Sequence, residues 1–308
     1  MNISQLEILR LLQETNYNVT KTAEKMHVVQ SAVSRQLILL EEELGAPLFE
    51  RHGKRLHGPT PLGLRVLEEV NLVNQAMKNI RALADDFIDN RNGFLHIATT
   101  HTQAKYFLPG PIAKFREHYP GIKIYIEQSS PDNLINLLHQ HKADIVICTE
   151  KLGDDEKLII QPCYHWHHTV IVPIGHPLGN ETLTLERLAT YPILTYSKGF
   201  TGRSNIEKAF GDAGIALDVT LAAADSDVIK TYVRLGFGVG IIAETSYEPT
   251  KDQDLLALGL GELIPLSTTK FAYLKHSYLP TYTRFFIEQL SITARAQPNK
   301  IKTGEINS

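Results

Sequence analysis

The stretch from Thr20 to Arg51 constrains this chain more than any other. It reads as two short helices joined by a tight turn, then a run ending in Leu44-Gly45-Ala46-Pro47-Leu48-Phe49-Glu50-Arg51. In the first helix, Thr20 to Met26, Thr20 offers a hydroxyl cap and Ala23 a small residue where a second helix can approach. The second, beginning Gln30 to Leu37, sets Val33, Leu37, Leu40 and Leu44 on one apolar stripe at helical spacing. Gln30, Ser31, Ser34, Arg35 and Gln36 are left at or near the other face. Arg and Gln suit base edges and Ser suits phosphates, whereas an ordinary surface helix carries more charge and fewer Ser and Gln. The pattern predicts a helix-turn-helix that meets duplex DNA.

Charge supports this only locally. The net charge is −3, and the first sixty residues balance seven Lys/Arg against seven Glu, so nothing global advertises a polyanion partner. Arg51-His52-Gly53-Lys54-Arg55-Leu56-His57, however, holds three cations and no acid. A Gly-containing basic hairpin after the recognition helix predicts a wing whose Arg51, Lys54 and Arg55 meet phosphates. At 308 residues the chain has room for two or three domains. No signal peptide opens it and no apolar run is long enough to span a bilayer, so a cytoplasmic protein without membrane contact is expected.

From Thr60 the pattern becomes one long helix. Val66, Val70, Val73, Met77, Ile80, Ala84 and Phe87 recur at alternating steps of four and three residues, which predicts a coiled-coil seam with a second copy of the chain. Pro61 suits the first turn, and Asn90-Arg91-Asn92-Gly93 ends the helix. Beyond Gly93, strands and helices alternate in two similar α/β units, each read as having a mainly parallel sheet. The glycines of Gly236-Phe237-Gly238-Val239-Gly240 follow a helix rather than a strand, so they read as turn and packing positions and not as a dinucleotide loop. The reading is an α/β protein: a winged helix-turn-helix domain over 1–59, a linker and dimerisation helix over 60–91, and an effector-binding domain over 92–308. Lobe I is expected over 92–164 and 269–308, and lobe II over 165–268.

The loops at strand ends carry the chemistry. Ala98 to Ala104 packs three hydroxyls, an imidazole and an amide between a strand end and a helix start. A helix N-terminus ringed by hydroxyls is a ready anion site. Thr149 follows the third strand of the same lobe, and Phe200-Thr201-Gly202-Arg203-Ser204 takes the matching place in the second. Ligands of open α/β sheets bind outside the carboxyl ends of strands, so these loops should converge on one crevice. Two other readings are set aside. His101 beside Thr100 and Thr102 has no carboxylate nearby in sequence to orient it, so no enzyme is expected. Cys163-Tyr164-His165-Trp166-His167-His168 crowds ligand types into an extended segment whose neighbours face opposite ways, so no metal or other cofactor is expected.

Gln30-Ser31-Ala32-Val33-Ser34, Leu40-Glu41, Leu44-Gly45, Leu48-Phe49, Arg51 and Thr60-Pro61-Leu62-Gly63, in this order and spacing, resemble the amino-terminal domain of LysR-type transcriptional regulators. The two lobes resemble the periplasmic-binding-protein-like effector domain those regulators carry. Ile97 to Ala104, Pro162 to Trp166, Phe200 to Ser204 and Asp227 to Gly236 are similar to the CysB branch, which controls sulfur assimilation, over nearly the whole chain. The resemblance implies a regulator of cysteine biosynthesis genes that binds double-stranded DNA as a homodimer or homotetramer and meets RNA polymerase at activated promoters. It also implies that Thr100, Thr102, Gln103, Thr149 and Thr201 bind a small anionic effector such as acetylserine, sulfate or thiosulfate. A sulfonate-utilisation regulator sensing adenosine phosphosulfate is the alternative. Ser31 stands where many members have Pro, so no operator preference is carried over.

Overall fold

The computed structural model describes residues 1–53, 55–88, 92–149, 151–153 and 155–295. They form two compact units, divided between Ile88 and Asp89.

The first unit opens with a helix the sequence reading did not foresee, α1 (Ile3–Glu14). A capping box starts it: Gln5 N donates to Asn2 Oδ1 at 3.0 Å, and Asn2 N donates to Gln5 Oε1 at 2.9 Å. α2 (Val19–Lys25) follows, capped by the Asn18 carboxamide rather than by Thr20, because Asn18 Oδ1 lies 3.0 Å from Lys21 N. His27 takes a left-handed φ of 54° in the turn, and α3 (Gln30–Leu44) is the recognition helix. Its Val33, Leu37 and Leu40 are buried against Leu9, Leu12 and Ala23, but Leu44 is exposed. The helix ends there at Gly45, whose φ of 74° turns the chain away from the core.

The wing is a hairpin of β1 (Phe49–His52) and β2 (Arg55–Pro59). α4 (Pro61–Ile88) then leaves it. Thr60 Oγ1 accepts from Gly63 N at 3.0 Å, and a Cβ on Gly63 would lie 1.9 Å from the Leu48 carbonyl oxygen, so only glycine lets the helix pass there. The expected seam divides. Val70 is buried, and Val66 half-buried, in the core of their own unit. α1 packs on that end of α4, so those two residues contribute to the core of their own unit. From Val73 onward the stripe is uncovered in the single chain: Ile80 is 66% exposed and Phe87 93%. The segment expected to end the helix, Asn90-Arg91, and the wing residue Lys54 lie outside the described residues.

The second unit holds two five-stranded sheets. In lobe I, β3 (Gly93–Thr99), β4 (Ile122–Gln128), β5 (Ile145–Cys148), β6 (Leu158–Trp166) and β12 (Ser267–Leu274) run in the order β4-β3-β5-β12-β6. In lobe II, β7 (His168–Pro173), β8 (Ile193–Tyr196), β9 (Val219–Ala223), β10 (Val239–Ala243) and β11 (Leu255–Gly259) run β11-β7-β10-β8-β9. Each sheet is mixed rather than mainly parallel: in each, two strand pairs are parallel and two antiparallel. The cause is the double crossing of the chain. β6 runs straight through His167 into β7, and β12 returns from lobe II, so one antiparallel pair of strands is grafted onto each βαβ core. β6 and β11 were not read as strands from the sequence.

Helices α5 (Pro109–His118) and α10 (Thr281–Arg295) cover one face of the first sheet, burying Phe115, Phe286 and Leu290. α6 (Pro131–His139) covers the other through Leu134 and Leu138. In lobe II, α7 (Leu185–Leu188) and α8 (Arg203–Asp212) bury Leu188, Ile206 and Phe210, while α9 (Ser226–Arg234) buries Ile229 and Val233 on the opposite side. Each fully buried Leu, Ile or Phe contributes about 1.5–3 kcal/mol. These two cores hold the loops at the strand ends in fixed positions.

Candidate functional site

The loop after β3 closes immediately into a π-turn, Gln103–Phe107, where Leu108 N donates to Gln103 O five residues back at 2.9 Å. Thr100, Thr102 and Gln103 are all buried. The Gln103 amide is fixed at both ends: Tyr164 Oη donates to Oε1 at 2.6 Å, and Nε2 donates to Thr269 Oγ1 at 3.4 Å. Trp166 Nε1 also donates to Thr269 Oγ1, at 3.1 Å, and Thr149 Oγ1 lies 3.2 Å from it.

Thr269 thus receives two N–H groups and shares one further hydrogen bond with the half-buried Thr149 hydroxyl, in which either oxygen can be the donor.

Lobe II contributes from the other side. Thr201 sits in the left-handed region at φ 38°, and Gly202 follows at φ 71° and caps α8. The space under this turn is full: a Cβ on Gly202 would meet Ser267 Oγ at 2.6 Å and His168 Cε1 at 2.8 Å. The buried His168 ring packs 4.8 Å from Trp166, which ties the Thr201 turn to the Thr269 hub. Burial pushes the His168 imidazole down to about 3, so it is neutral at neutral pH. Arg203 points away: Nη1 donates to Tyr196 O at 2.8 Å, and Nη2 lies 3.1 Å from Glu207. Tyr196, whose oxygen accepts from Ala243 N at 3.1 Å, has its hydroxyl near Ser246, Thr102 and Ser226 without a hydrogen bond to any of them. The Thr102, Thr201, Ser226 and Ser246 hydroxyls are buried yet meet no hydrogen-bond partner within the protein among the described residues. A buried hydroxyl without a partner costs free energy, so such atoms from two lobes mark where a polar ligand would sit.

Of the residues the sequence singled out, Gln103 and Thr149 meet at Thr269. Thr102 faces lobe II through Tyr196, and Thr201 joins through His168 and Trp166. Thr100 is buried in the same loop. Thr269 and Tyr164 were not foreseen because they lie within strands β12 and β6, whereas Tyr196, Ser226 and Ser246 do stand at strand ends and are additions that the same junction rule could have found.

His101 has no carboxylate near it in sequence, but the fold brings one to it from lobe II. Its Nε2 lies 3.1 Å from Asp227 Oδ2, contributed by lobe II, and its Nδ1 lies 3.1 Å from Gln128 Oε1. Both ring nitrogens are engaged, and neither faces a nucleophile. Asp227 also accepts from Lys105 Nζ at 2.6 Å and Tyr106 Oη at 2.7 Å. Burial pushes the Asp227 carboxyl up, but the hydrogen bonds from Lys105, Tyr106 and His101 outweigh it and hold the group below the usual carboxylate range. His101, Asp225 and Asp227 are grouped closely enough to ligate an ion. Asp225 Oδ1, however, already accepts from the N–H groups of Asp227 and Val228, and Lys105 already supplies a cation to Asp227. In the Cys163–His168 segment, Cys163 donates to Leu290 O at 3.9 Å inside the core, and His165 lies on Thr268 at the surface.

On the amino-terminal unit, Gln30, Ser31, Ser34, Arg35, Ile38, Leu39 and Glu42 line one open face of α3. Gln36 stands toward the core side, half-buried, with its carbonyl accepting from Gln5 Nε2 at 3.5 Å. The Arg51 guanidinium pairs with Glu41, whose other oxygen accepts from Leu48 N at 2.8 Å, so this arginine braces the wing against α3. Arg55 is exposed on β2.

A helix-turn-helix unit with an open polar recognition face, followed by a two-lobed unit with unsatisfied hydroxyls between its lobes, defines a ligand-responsive DNA-binding regulator. Residues 3–64 match the bacterial regulatory helix-turn-helix protein, lysR family, and residues 89–294 match the LysR substrate binding domain. The chain belongs to the LysR family of transcriptional regulators. It is 43% identical over 292 residues to the HTH-type transcriptional regulator SsuR of Burkholderia cenocepacia, covering 94% of this chain and 95% of that one. It is 38% identical over 294 residues to CysB of the same organism, covering 95% and 94%. The cofactor-binding domain of the Cbl transcriptional regulator superposes with a TM-score of 0.63 at 40% identity, over 65% of this chain and 89% of that one. These relatives are regulators and not enzymes. No described helix is long and apolar enough to cross a membrane.

Proposed function

We propose that this regulator controls sulfur-assimilation genes and that a small sulfur-pathway anion, sulfate, thiosulfate or an acetylserine, binds between its lobes. The observation that carries this reading is the pair of buried, unpartnered hydroxyls on opposite lobes, Thr102 and Thr201. Thr149, hydrogen-bonded to Thr269, and the buried Thr100 and Gln103 add further neutral polar groups from lobe I. Neutral donors can hold a small anion without a full countercharge, and Arg203 and His168 supply none here. Adenosine phosphosulfate is kept as the second reading, to be decided by the binding measurement below.

At the operator, Arg35 with Ser34 reads base edges, Gln30, Ser31 and Gln36 flank them, and Arg55 with Lys54 meets phosphates. The exposed stripe from Val73 to Phe87 pairs two chains, and dimers of this kind can assemble further into tetramers and meet RNA polymerase at activated promoters. Calorimetry of the full chain with sulfate, thiosulfate, N-acetylserine, O-acetylserine and adenosine phosphosulfate tests the effector. One binder should lose affinity in both Thr102→Val and Thr201→Val. Wild-type affinity in both variants places the site elsewhere.

A further inference from the structure

The π-turn has two engaged faces. Gln103 reaches inward to Tyr164 and Thr269 of its own lobe. His101, Lys105 and Tyr106, at spacings of four and five residues, reach outward and end on one carboxylate of the other lobe, Asp227. Thr102, with its unpartnered hydroxyl, lies between the two grips.

The lobe II end of this contact is firmly seated. Asp225 caps α9, and the buried Lys230 donates to Asp252 at 2.9 Å, Ser246 O at 2.9 Å and Tyr106 Oη at 3.1 Å. Separating the Lys230–Asp252 pair would strand a buried charge, so that end holds. The Asp227 end differs: side-chain exposure is 34% for Asp227 and 42% for Lys105, and water can replace either partner at low cost. The contact therefore has a fixed anchor and a releasable grip.

We propose that Asp227 is a positioning residue of the effector site: from lobe II it clamps the π-turn of lobe I, holding Thr102 in place for the ligand and coupling ligand binding to the arrangement of the lobes. The affinity part of this proposal rests on the effector reading above; the clamp does not. A ligand bound between the lobes and the Asp227 grip favour the same arrangement, so loss of one must weaken the other.

The test uses the full chain. Hydrogen exchange over residues 100–108 without ligand should quicken in Asp227→Asn and in Lys105→Met, with the combined variant no faster than Asp227→Asn alone. In calorimetry with sulfate, thiosulfate, O-acetylserine and adenosine phosphosulfate, Asp227→Asn should weaken the binder about tenfold, about 1.4 kcal/mol, and Asp227→Glu should recover part of it. Adding Thr102→Val to Asp227→Asn should cost less than Thr102→Val costs alone. Unchanged exchange in Asp227→Asn overturns the clamp. Quickened exchange with unchanged affinity overturns the positioning role. If no probe binds the wild-type chain, the effector reading and the affinity claim fall together, while the exchange data still decide the clamp.

Discussion

Thr269→Val isolates the hub on which the lobe I side of the site depends. Val matches Thr in volume, so packing is kept and the change is one hydroxyl. Trp166 Nε1, 3.1 Å from that hydroxyl and on a side chain only 1% exposed, loses its acceptor with no water to replace it. Leaving such a buried donor unmade costs about 1–3 kcal/mol. Gln103 Nε2, at 3.4 Å, is near the limit of a hydrogen bond and adds little. The expected loss is therefore about 1–3 kcal/mol, set by Trp166 alone. Two controls separate this from general disturbance. Thr149→Val leaves the indole N–H bonded to Thr269 and should leave the Trp166 emission unshifted. Thr269→Ser restores the acceptor and leaves only a methyl-sized gap, at about 1 kcal/mol. Urea unfolding followed by fluorescence is the assay, because Trp166 is the only tryptophan and reports this contact directly. If Thr269→Val unfolds at the wild-type midpoint with unshifted emission, the hub does not carry the indole.

Other substitutions probe the remaining elements. Arg35→Ala should cost about 1–3 kcal/mol on the specific operator and relax base preference there, whereas Arg55→Ala should weaken binding to all duplexes and reduce its salt dependence; titrations on specific and random DNA at several salt concentrations check both. Ile80→Glu places a charge on the uncovered stripe of α4 and should shift sedimentation toward the single chain, with an unchanged oligomer refuting the seam. The buried His168 titrates at about 3 when folded, below the 6.5 of a free imidazole, so the unfolded chain binds its proton first. Its contribution is complete above 6.5 and is lost as pH falls toward 3, about 2 kcal/mol of it by about pH 5. His168→Gln should flatten that part of the stability profile, read by urea midpoints across the range.

The two-unit plan was legible because its signals are local. The stripe Val33, Leu37 and Leu40 is a period that sequence alone displays, and all three residues are buried. The βα junctions were legible for the same reason: Thr149 after β5 and Thr201 before α8 stand where strand ends meet helix starts. What failed depends on distant neighbours. α1 is the exception, since its signals are local: the Asn2–Gln5 capping box opens it, and Leu9 and Leu12 at helical spacing are fully buried. Val66 and Val70 fit a heptad, yet no period in the sequence shows that they also pack into the core of their own unit beside Leu6 and Leu9. The sheets were read as mainly parallel because β6 and β11, which bring antiparallel pairing, have no clear alternation.

The polar half of the site was hidden for a stronger reason. Thr269 precedes no helix and caps nothing; it reaches Thr149, 120 residues earlier, only because β12 inserts between β5 and β6. The same insertion sets Trp166 on β6 beside Thr269 on β12, since antiparallel pairing brings Ser267 opposite Trp166. Asp227 meets His101 across 126 residues, because the chain crosses twice between lobes and leaves the α9 N-terminus facing the π-turn. A search for carboxylates near His101 along the sequence could not find it. Sequence order names the residues that can donate, whereas sheet order decides which of them meet: Thr149 and the Trp166 indole share Thr269 only because β12 lies between β5 and β6.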